Sequence, residues 1–251
     1  FTGSVFPINP HAGSVGGVHA YGSVKDTPVA PDLAIIAVPA ERVAEVVTEC
    51  GEAHVGGIVI ISAGFAELGT DGRAVEASLV KTARRYGMRV VGPNCMGLAN
   101  TSPLIQMNAT FAPVDPMPGN VAFMTQSGAL GISLIDESAR RGIGISSFVS
   151  VGNKADISGN DLLRYWETDE STAVIALYLE SFGNPRKFVR IASRVARVKP
   201  IIAVKSGSSG AGARAATSHT GALASSDAVV EALCEHAGVV RTATLEEMFD
   251  V

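Results

Sequence analysis

Residues Lys199–Leu223, KPIIAVKSGSSGAGARAATSHTGAL, hold the clearest join of a buried strand to a chemistry-bearing loop. Pro200 precedes the apolar run Ile201-Ile202-Ala203-Val204, which has the length and composition of a buried strand. From Ser206 to Ser218 the chain becomes a loop of Gly, Ala and Ser, and His219-Thr220-Gly221 follows it. A loop of that length in a compact domain is either functional or disordered. Its place between a strand and an apolar helix of one domain favours function. Small residues let backbone N–H groups approach an anion, and a helix N-terminus adds unpaired donors. An imidazole can serve near neutral pH as nucleophile or proton carrier. The stretch points to phosphate handling; an ordinary surface histidine beside a small-residue loop is the alternative.

Working outward, four more strand-like runs share this half of the chain: Asn120–Thr125, Ile145–Val151, Ala173–Leu179 and Val239–Arg241. Helical patterns separate them over Ala129–Arg141, Gly159–Glu167, Pro185–Val198 and Asp227–Ala237. Continuous apolar strands alternating with amphipathic helices predict a parallel sheet covered on both faces, doubly wound and flavodoxin-like. Right-handed crossovers bring all strand C-termini to one rim. Ser127, Asn153, Glu180 and Ser206 therefore face one crevice, with the His219 loop rising from it. Ser127-Gly128 opens a helix and suits a phosphate, although a serine there is also an ordinary helix cap. Glu180 ends an apolar strand, where a carboxylate needs a partner; it could orient an imidazole, or it could be a solvated strand end. The Ser206-Gly207 turn is a further candidate for phosphate.

The first half repeats the theme with Asp32–Pro39, Gly57–Ser62 and Met88–Val91 as strands and helices over Glu41–Cys50 and Gly72–Tyr86. No Gly-rich first βα turn of the Rossmann type is found, so the first βα unit is expected to lie outside this chain. Phe1–Pro7 reads as a strand. Thr101–Gly119 carries Pro103, Pro113, Pro116 and Pro118 without helical period and reads as an inter-domain crossing. The expected division is residues 1–118 and 119–251. Asn94, in GPNCMG, is either a ligand-binding strand end or a turn residue. Cys95 beside it has no nearby histidine to activate it and is not taken as a nucleophile.

With 47% hydrophobic and 18% charged residues, the chain is globular rather than disordered. The net charge of −4, without a Lys/Arg cluster, argues against nucleic acid as partner. No apolar stretch reaches the length of a membrane span. Cys50, Cys95 and Cys234 lack metal-ligand spacing, so no metal site is expected, and they fit a reducing cytoplasm.

Taken in order, GPNCMG at Gly92, TQSGALG at Thr125, VGNKAD at Val151, LYLES at Leu177 and SHTGAL at Ser218 resemble the nucleoside-diphosphate-forming acyl-CoA synthetases. These are relatives of the succinyl-CoA synthetase α subunit, and the acetyl-CoA type fits better than the succinyl type because Met96 and SHTG depart from the latter's pattern. The resemblance runs along essentially the whole chain. It implies a Rossmann-like CoA-binding domain followed by a flavodoxin-like domain, and a ligase segment that interconverts acyl-CoA, phosphate and ADP with free acid, CoA and ATP. The intermediates implied are an acyl phosphate and a phosphohistidine. By the same resemblance His219 is the phosphorylated histidine, Glu180 its partner carboxylate, and Ser127, Gly128, Ser206 and Gly207 phosphate donors. Asn9, Val38, Pro39, Ala40, Ser62, Ala63, Gly64 and Asn94 match segments that surround CoA. ADP/ATP with Mg2+ would bind a separate ATP-grasp module, in the same polypeptide or another subunit, within an oligomer. The second functional class is a CoA- or acyl-CoA-sensing regulatory domain of a protein acetyltransferase fusion. A nicotinamide-dinucleotide-binding protein is disfavoured because GxGxxG and its downstream acidic residue are absent.

Overall fold

A computed structural model of the chain describes residues 1–207 and 227–251. A short hairpin comes first, β1 (Ser14–Val15) against β2 (Val18–His19), turning on Gly16 and Gly17 at φ 56° and 82°. Positive φ at both central positions is what a two-residue hairpin turn needs, and glycine supplies it without strain.

A three-stranded parallel sheet follows, β3 (Leu33–Ile36), β4 (Gly57–Ile60) and β5 (Arg89–Val91), in that spatial order. The crossovers are α1 (Ala40–Glu52) and α2 (Thr70–Arg85). Val43 and Val47 lie four residues apart on one face of α1, and Leu79 and Ala83 do the same on α2. All four are buried against Ile58 and Ile60 of β4, the pairing that helical periodicity dictates.

The larger sheet has seven strands: β6 (Gly97–Asn100), β7 (Met107–Thr110), β8 (Pro118–Thr125), β9 (Ile145–Ser150), β10 (Val174–Leu179), β11 (Ile201–Lys205) and β12 (Val240–Thr242). Its spatial order is β12-β11-β10-β8-β9-β6-β7. The five strands from β8 to β12 are parallel and carry the doubly wound order expected from the sequence. The intervening helices are α3 (Gly128–Arg140), α4 (Gly159–Thr168), α5 (Pro185–Val195) and α6 (Asp227–Ala237), followed by α7 (Leu245–Asp250). Alternate residues of β10 face opposite layers. Ile175, Leu177 and Leu179 pack with Trp166 of α4, Phe188 of α5 and Val230 of α6, while Ala176 packs with Leu134 of α3 and Met248 of α7. Apolar burial on both faces explains why these strands read as unbroken hydrophobic runs.

One expectation fails: Phe1–Pro7 does not form a strand, and its neighbourhood contributes a lone parallel bridge between Ile8 and Tyr21. Within the proline-rich stretch Thr101–Gly119, Met107–Thr110 pairs antiparallel with β6, which pairs antiparallel with β9. Such short segments with Gly and Asn have little strand propensity of their own, and tertiary pairing imposes their conformation. No helix among the described residues is long and apolar enough to cross a membrane.

Candidate functional site

In a doubly wound sheet, ligands bind beyond the strand C-termini where the strand order reverses. Here the reversal falls between β8 and β10. Gln126-Ser127 leaves β8 and Glu180-Ser181 leaves β10, so the sequence candidates Ser127 and Glu180 share this point. Ser127 caps α3, its Oγ accepting from the Leu130 N–H at 3.5 Å. Gln126 is buried and links the two strand ends. Its Oε1 accepts from the N–H groups of both Glu180 and Ser181 at 2.9 Å, and its Nε2 donates to the Ser181 carbonyl at 2.8 Å. Ser206, at the end of β11, donates its N–H to the Leu179 carbonyl at 2.9 Å, which sets the Ser206-Gly207 turn beside Glu180. Gly207 has φ 77°.

Two lysines outside the sequence candidates, Lys154 and Lys205, flank this carboxylate. Lys154, after β9, donates to Ser181 Oγ at 2.5 Å, the Ser181 carbonyl at 3.0 Å and Gln126 Oε1 at 3.2 Å. Burial pushes its ammonium down to about 8, with Glu180 acting to raise it and Lys205 to lower it further. Lys205 is also lowered, first by burial and then by Arg241, while Glu180 opposes. The rim thus gathers a helix N-terminus, one carboxylate and two partly desolvated cations, which suits a doubly charged anion such as phosphate.

The smaller sheet presents its own strand ends. Ser62 Oγ donates to the Val38 carbonyl at 2.5 Å, and Asn94 N–H donates to the Ser62 carbonyl at 3.0 Å, so the Val38, Ser62 and Asn94 segments are physically joined. Pro39 and Ala40 start α1, whose N-cap makes no side-chain hydrogen bond, leaving first-turn donors open to a ligand. Gly64 lies beside Ala40, where an added Cβ would fall 2.9 Å from the Ala40 Cβ. Ala63 is exposed between Ser62 and Gly64. Asn9 is tied to its own N-terminal segment: its N–H donates to the Tyr21 carbonyl at 2.8 Å and its Oδ1 accepts from His11 N–H at 2.9 Å.

The loop after β9, VGNKAD, joins the two sheets. Asn153 N–H donates to the Pro93 carbonyl at 3.0 Å and Ala155 N–H to the Gly92 carbonyl at 3.2 Å. Asn153 Nδ2 donates to Glu67 at 2.6 Å and Glu76 at 2.8 Å. Burial would raise both carboxyls. It prevails for Glu76, whereas for Glu67 the Asn153 amide and the Gly64 N–H hold the carboxyl below its ordinary range. Asp156 is fully enclosed; it accepts from Arg84 Nη2 at 2.5 Å, Arg89 Nε at 2.7 Å and Val90 N–H at 3.0 Å. Burial pushes its carboxyl up, but Arg89 and Arg84 outweigh that and lower it from 3.8. The stability gained from a depressed carboxyl is present above its unfolded value and lost as pH falls through the folded one. Asp156→Asn should therefore cost about 2 kcal/mol at pH 7, a modest figure because both arginines are more than half exposed. The deficit should shrink progressively below pH 3.8. Urea unfolding of both proteins at pH 7 and pH 3 measures this, and an equal deficit at the two pH values would refute it.

His219 lies outside the described residues, as does most of its loop. Cys95 is a buried thiol donating to the Ile60 carbonyl, pushed by burial up to about 11, and is chemically quiet. Among the described residues no group of three or more His, Cys, Asp or Glu is arranged to hold a metal ion. Gln126 and Lys154 both stand inside the TQSGALG and VGNKAD motifs. Gln126 is a polar residue directly following a buried strand, a signal weaker than that of a histidine; Lys154 lies beyond Val151-Gly152-Asn153 and carries no such signal.

Comparison with known proteins agrees with this architecture. A family model described as succinyl-CoA ligase like flavodoxin domain matches residues 118–251, and one described as CoA binding domain matches residues 2–101. Acetate–CoA ligase [ADP-forming] I of Archaeoglobus fulgidus is 46% identical over 250 residues, covering 100% of this chain and 36% of that protein. Acetate–CoA ligase [ADP-forming] II subunit alpha of Pyrococcus furiosus is 46% identical, covering 99% of this chain and 54% of that one. The solved acetyl-coenzyme A synthetase 1 of Ca. Korarchaeum cryptofilum, in complex with phosphate and ADP, superposes with a TM-score of 0.93 at 46% identity, covering 100% of this chain and 53% of that one. The chain thus spans between about a third and a half of the relatives it matches. From its fold, its paired family models and these identities, the chain belongs to the ADP-forming acyl-CoA synthetases, the relatives of the succinyl-CoA synthetase α subunit.

Proposed function

We propose that this chain is the acyl- and phosphoryl-transferring segment of an acid–thiol ligase. Acyl-CoA and phosphate give acyl phosphate and free CoA; the acyl phosphate then passes its phosphoryl group to His219, releasing the acid. The phosphohistidine delivers that group to ADP on an ATP-grasp module, in the same chain or a partner subunit, where Mg2+ offsets the charge of the nucleotide phosphates. Every step runs in reverse to make acyl-CoA from ATP. In this reading the smaller sheet is the CoA-binding unit and the larger sheet the phosphoryl-transfer unit; the division at 118/119 leaves β6 and β7 of the larger sheet on the N-terminal side. CoA carries the acyl group as a thioester, and the open start of α1 at Val38, Pro39 and Ala40, with Ser62, Ala63, Gly64 and Asn94 beside it, suits the phosphates and amides of that cofactor. Asn9 has less structural support for such a role. Ser127, Gly128, Ser206 and Gly207 hold the phosphate, and Glu180 orients the imidazole. Three unpaired, buried cysteines favour a reducing compartment such as the cytoplasm, and the separate α subunits among the relatives support an oligomeric assembly.

The observation that carries this reading is the convergence of Ser127, Gln126, Glu180 and Lys154 at the strand reversal of the larger sheet. The acetyltransferase-linked sensor finds no support in the relatives, which are ligases by name. The test is label transfer from γ-labelled ATP to the full-length protein with its ATP-grasp module. Acid-labile label mapping to His219 is expected. No label, or label on a different residue, would overturn the proposal.

A further inference from the structure

We propose that Lys154 is a positioning residue for Glu180: from the end of β9 its ammonium holds the turn that follows β10, and so fixes the carboxylate at the strand reversal. The catalytic meaning of this role rests on the function proposed above; the geometry does not.

Three adjacent strand ends meet at this ammonium. Its three protons are matched by three acceptors, Gln126 Oε1 after β8 and the Ser181 carbonyl and hydroxyl after β10. Gln126 in turn receives the N–H groups of Glu180 and Ser181. Removing the ammonium therefore loosens both the glutamine that grips the Glu180 backbone and the serine next to it. The backbone at Lys154 has φ 51°, in the left-handed region that favours glycine or asparagine. A lysine there carries conformational strain, which persists where surrounding structure over-determines it. That structure is present: the flanking Asn153 and Ala155 N–H groups bind the Gly92-Pro93 carbonyls, and Asp156 is enclosed by Arg84 and Arg89. The loop is anchored on the smaller sheet, so the lysine reaches the rim from a fixed base.

Charge is essential to this arrangement. A neutral amine has two N–H donors for three acceptors, and the bond it gives up must come from Gln126 or Ser181. Among the described residues, the titratable groups facing Lys154 are Glu180 after β10 and Lys205 at the end of β11; Gln126 and Ser181 are neutral. Burial and Lys205 together outweigh Glu180 and bring the ammonium's titration to about 8, so one of its three bonds to the turn, and the charge that strengthens the others, is lost as pH rises through that value.

The experiment uses the full-length protein as wild type, Lys154→Met and Lys154→Arg. The first readout is amide hydrogen-exchange protection at Glu180 and Ser181, corrected for intrinsic exchange, from pH 7 to 9.5. Wild-type protection should fall about tenfold across this range and that of Lys154→Met should be low throughout. The fall should vanish in Lys154→Arg, whose guanidinium keeps its charge. The second readout is the single-turnover rate of histidine phosphorylation, which Lys154→Met should lower at least tenfold while KM for CoA stays within twofold. Equal protection in wild type and Lys154→Met, or a flat wild-type profile, would overturn the proposal. If Lys154→Met fails to fold, the wild-type and Lys154→Arg profiles still decide it. Absence of phosphohistidine in wild type would count against the proposed function, while the exchange data would still decide the role of Lys154.

Discussion

Replacing His219 with alanine should abolish acid-labile phosphate incorporation in the full-length protein, a loss beyond the assay's range rather than a fractional one. A covalent phosphoryl intermediate requires a nucleophile, and an alanine offers none. The chain has five histidines. His11, His19, His54 and His236 are exposed on the smaller unit or on α6, and none belongs to the β8/β10 strand ends. His219 lies in the segment that joins β11 to α6, a segment that leaves the sheet at the Ser206-Gly207 turn beside Glu180. Glu180→Gln keeps the size and the backbone contacts to Gln126 but loses the charge that, in the function proposed above, orients and polarises an imidazole. Positioned acid–base groups contribute about 10²–10⁴-fold, so this variant should slow labelling by a factor in that range without abolishing it. Quench-flow labelling of the wild type and both variants separates the roles. Label persisting in His219→Ala would remove this histidine from the mechanism, and an unchanged rate in Glu180→Gln would remove the carboxylate.

A large loss of stability is expected from Gly152→Ala. Gly152 has φ 50°, and a Cβ there would lie 2.3 Å from the carbonyl oxygens of both Pro93 and Asn94. Neither obstacle is a flexible side chain; both are backbone, held by hydrogen bonds from Asn153, Ala155 and Asn94 itself. Relief requires the loop after β9 to lift from the loop after β5. Overpacking costs typically 1–3 kcal/mol, and backbone strain adds to it, so we expect about 3–4 kcal/mol. Gly142→Ala supplies the control: Gly142 has φ 70° but open space around its Cβ position, and the change should cost about 1 kcal/mol from backbone conformation alone. Denaturant unfolding of both variants measures the difference. If the two cost the same, the contact between the loops contributes nothing.

The parallel strands were legible in the sequence because burial on both faces makes them continuous apolar runs. Ile201–Val204 and Ile175–Leu179 are buried almost throughout and could be little else. Right-handed crossovers alone dictate the rim, so the sequence pattern itself puts Ser127 and Glu180 together. What the sequence hid was pairing decided at a distance. Gly97–Asn100 has no strand signature of its own and is a strand because β9 lies beside it. Gln126 and Lys154 were hidden for a different reason. Their roles depend on which carbonyl or hydroxyl each tip reaches, and residue type alone says nothing about that. Asp156 was the least visible. A buried carboxylate is identified by its partners, and Arg84 and Arg89 come from a helix and a strand some 70 residues earlier.

The antiparallel pair β6 and β7 has a consequence for how the chain is assembled during synthesis. Gly97–Thr110 is made directly after the smaller sheet, yet it completes the larger one by pairing with Ser147–Val149. While the ribosome adds the intervening residues, that hairpin has its inner edge bare, and an isolated two-stranded ribbon is only marginally stable in water. The smaller sheet can close early on local crossovers, but its last connection must wait for β9. The loop after β9 then docks back onto Gly92-Pro93, so the two sheets lock within a few residues of each other in the growing chain. The interval between Thr110 and Ser147 is accordingly when an exposed strand edge is most open to pairing with a neighbouring nascent chain.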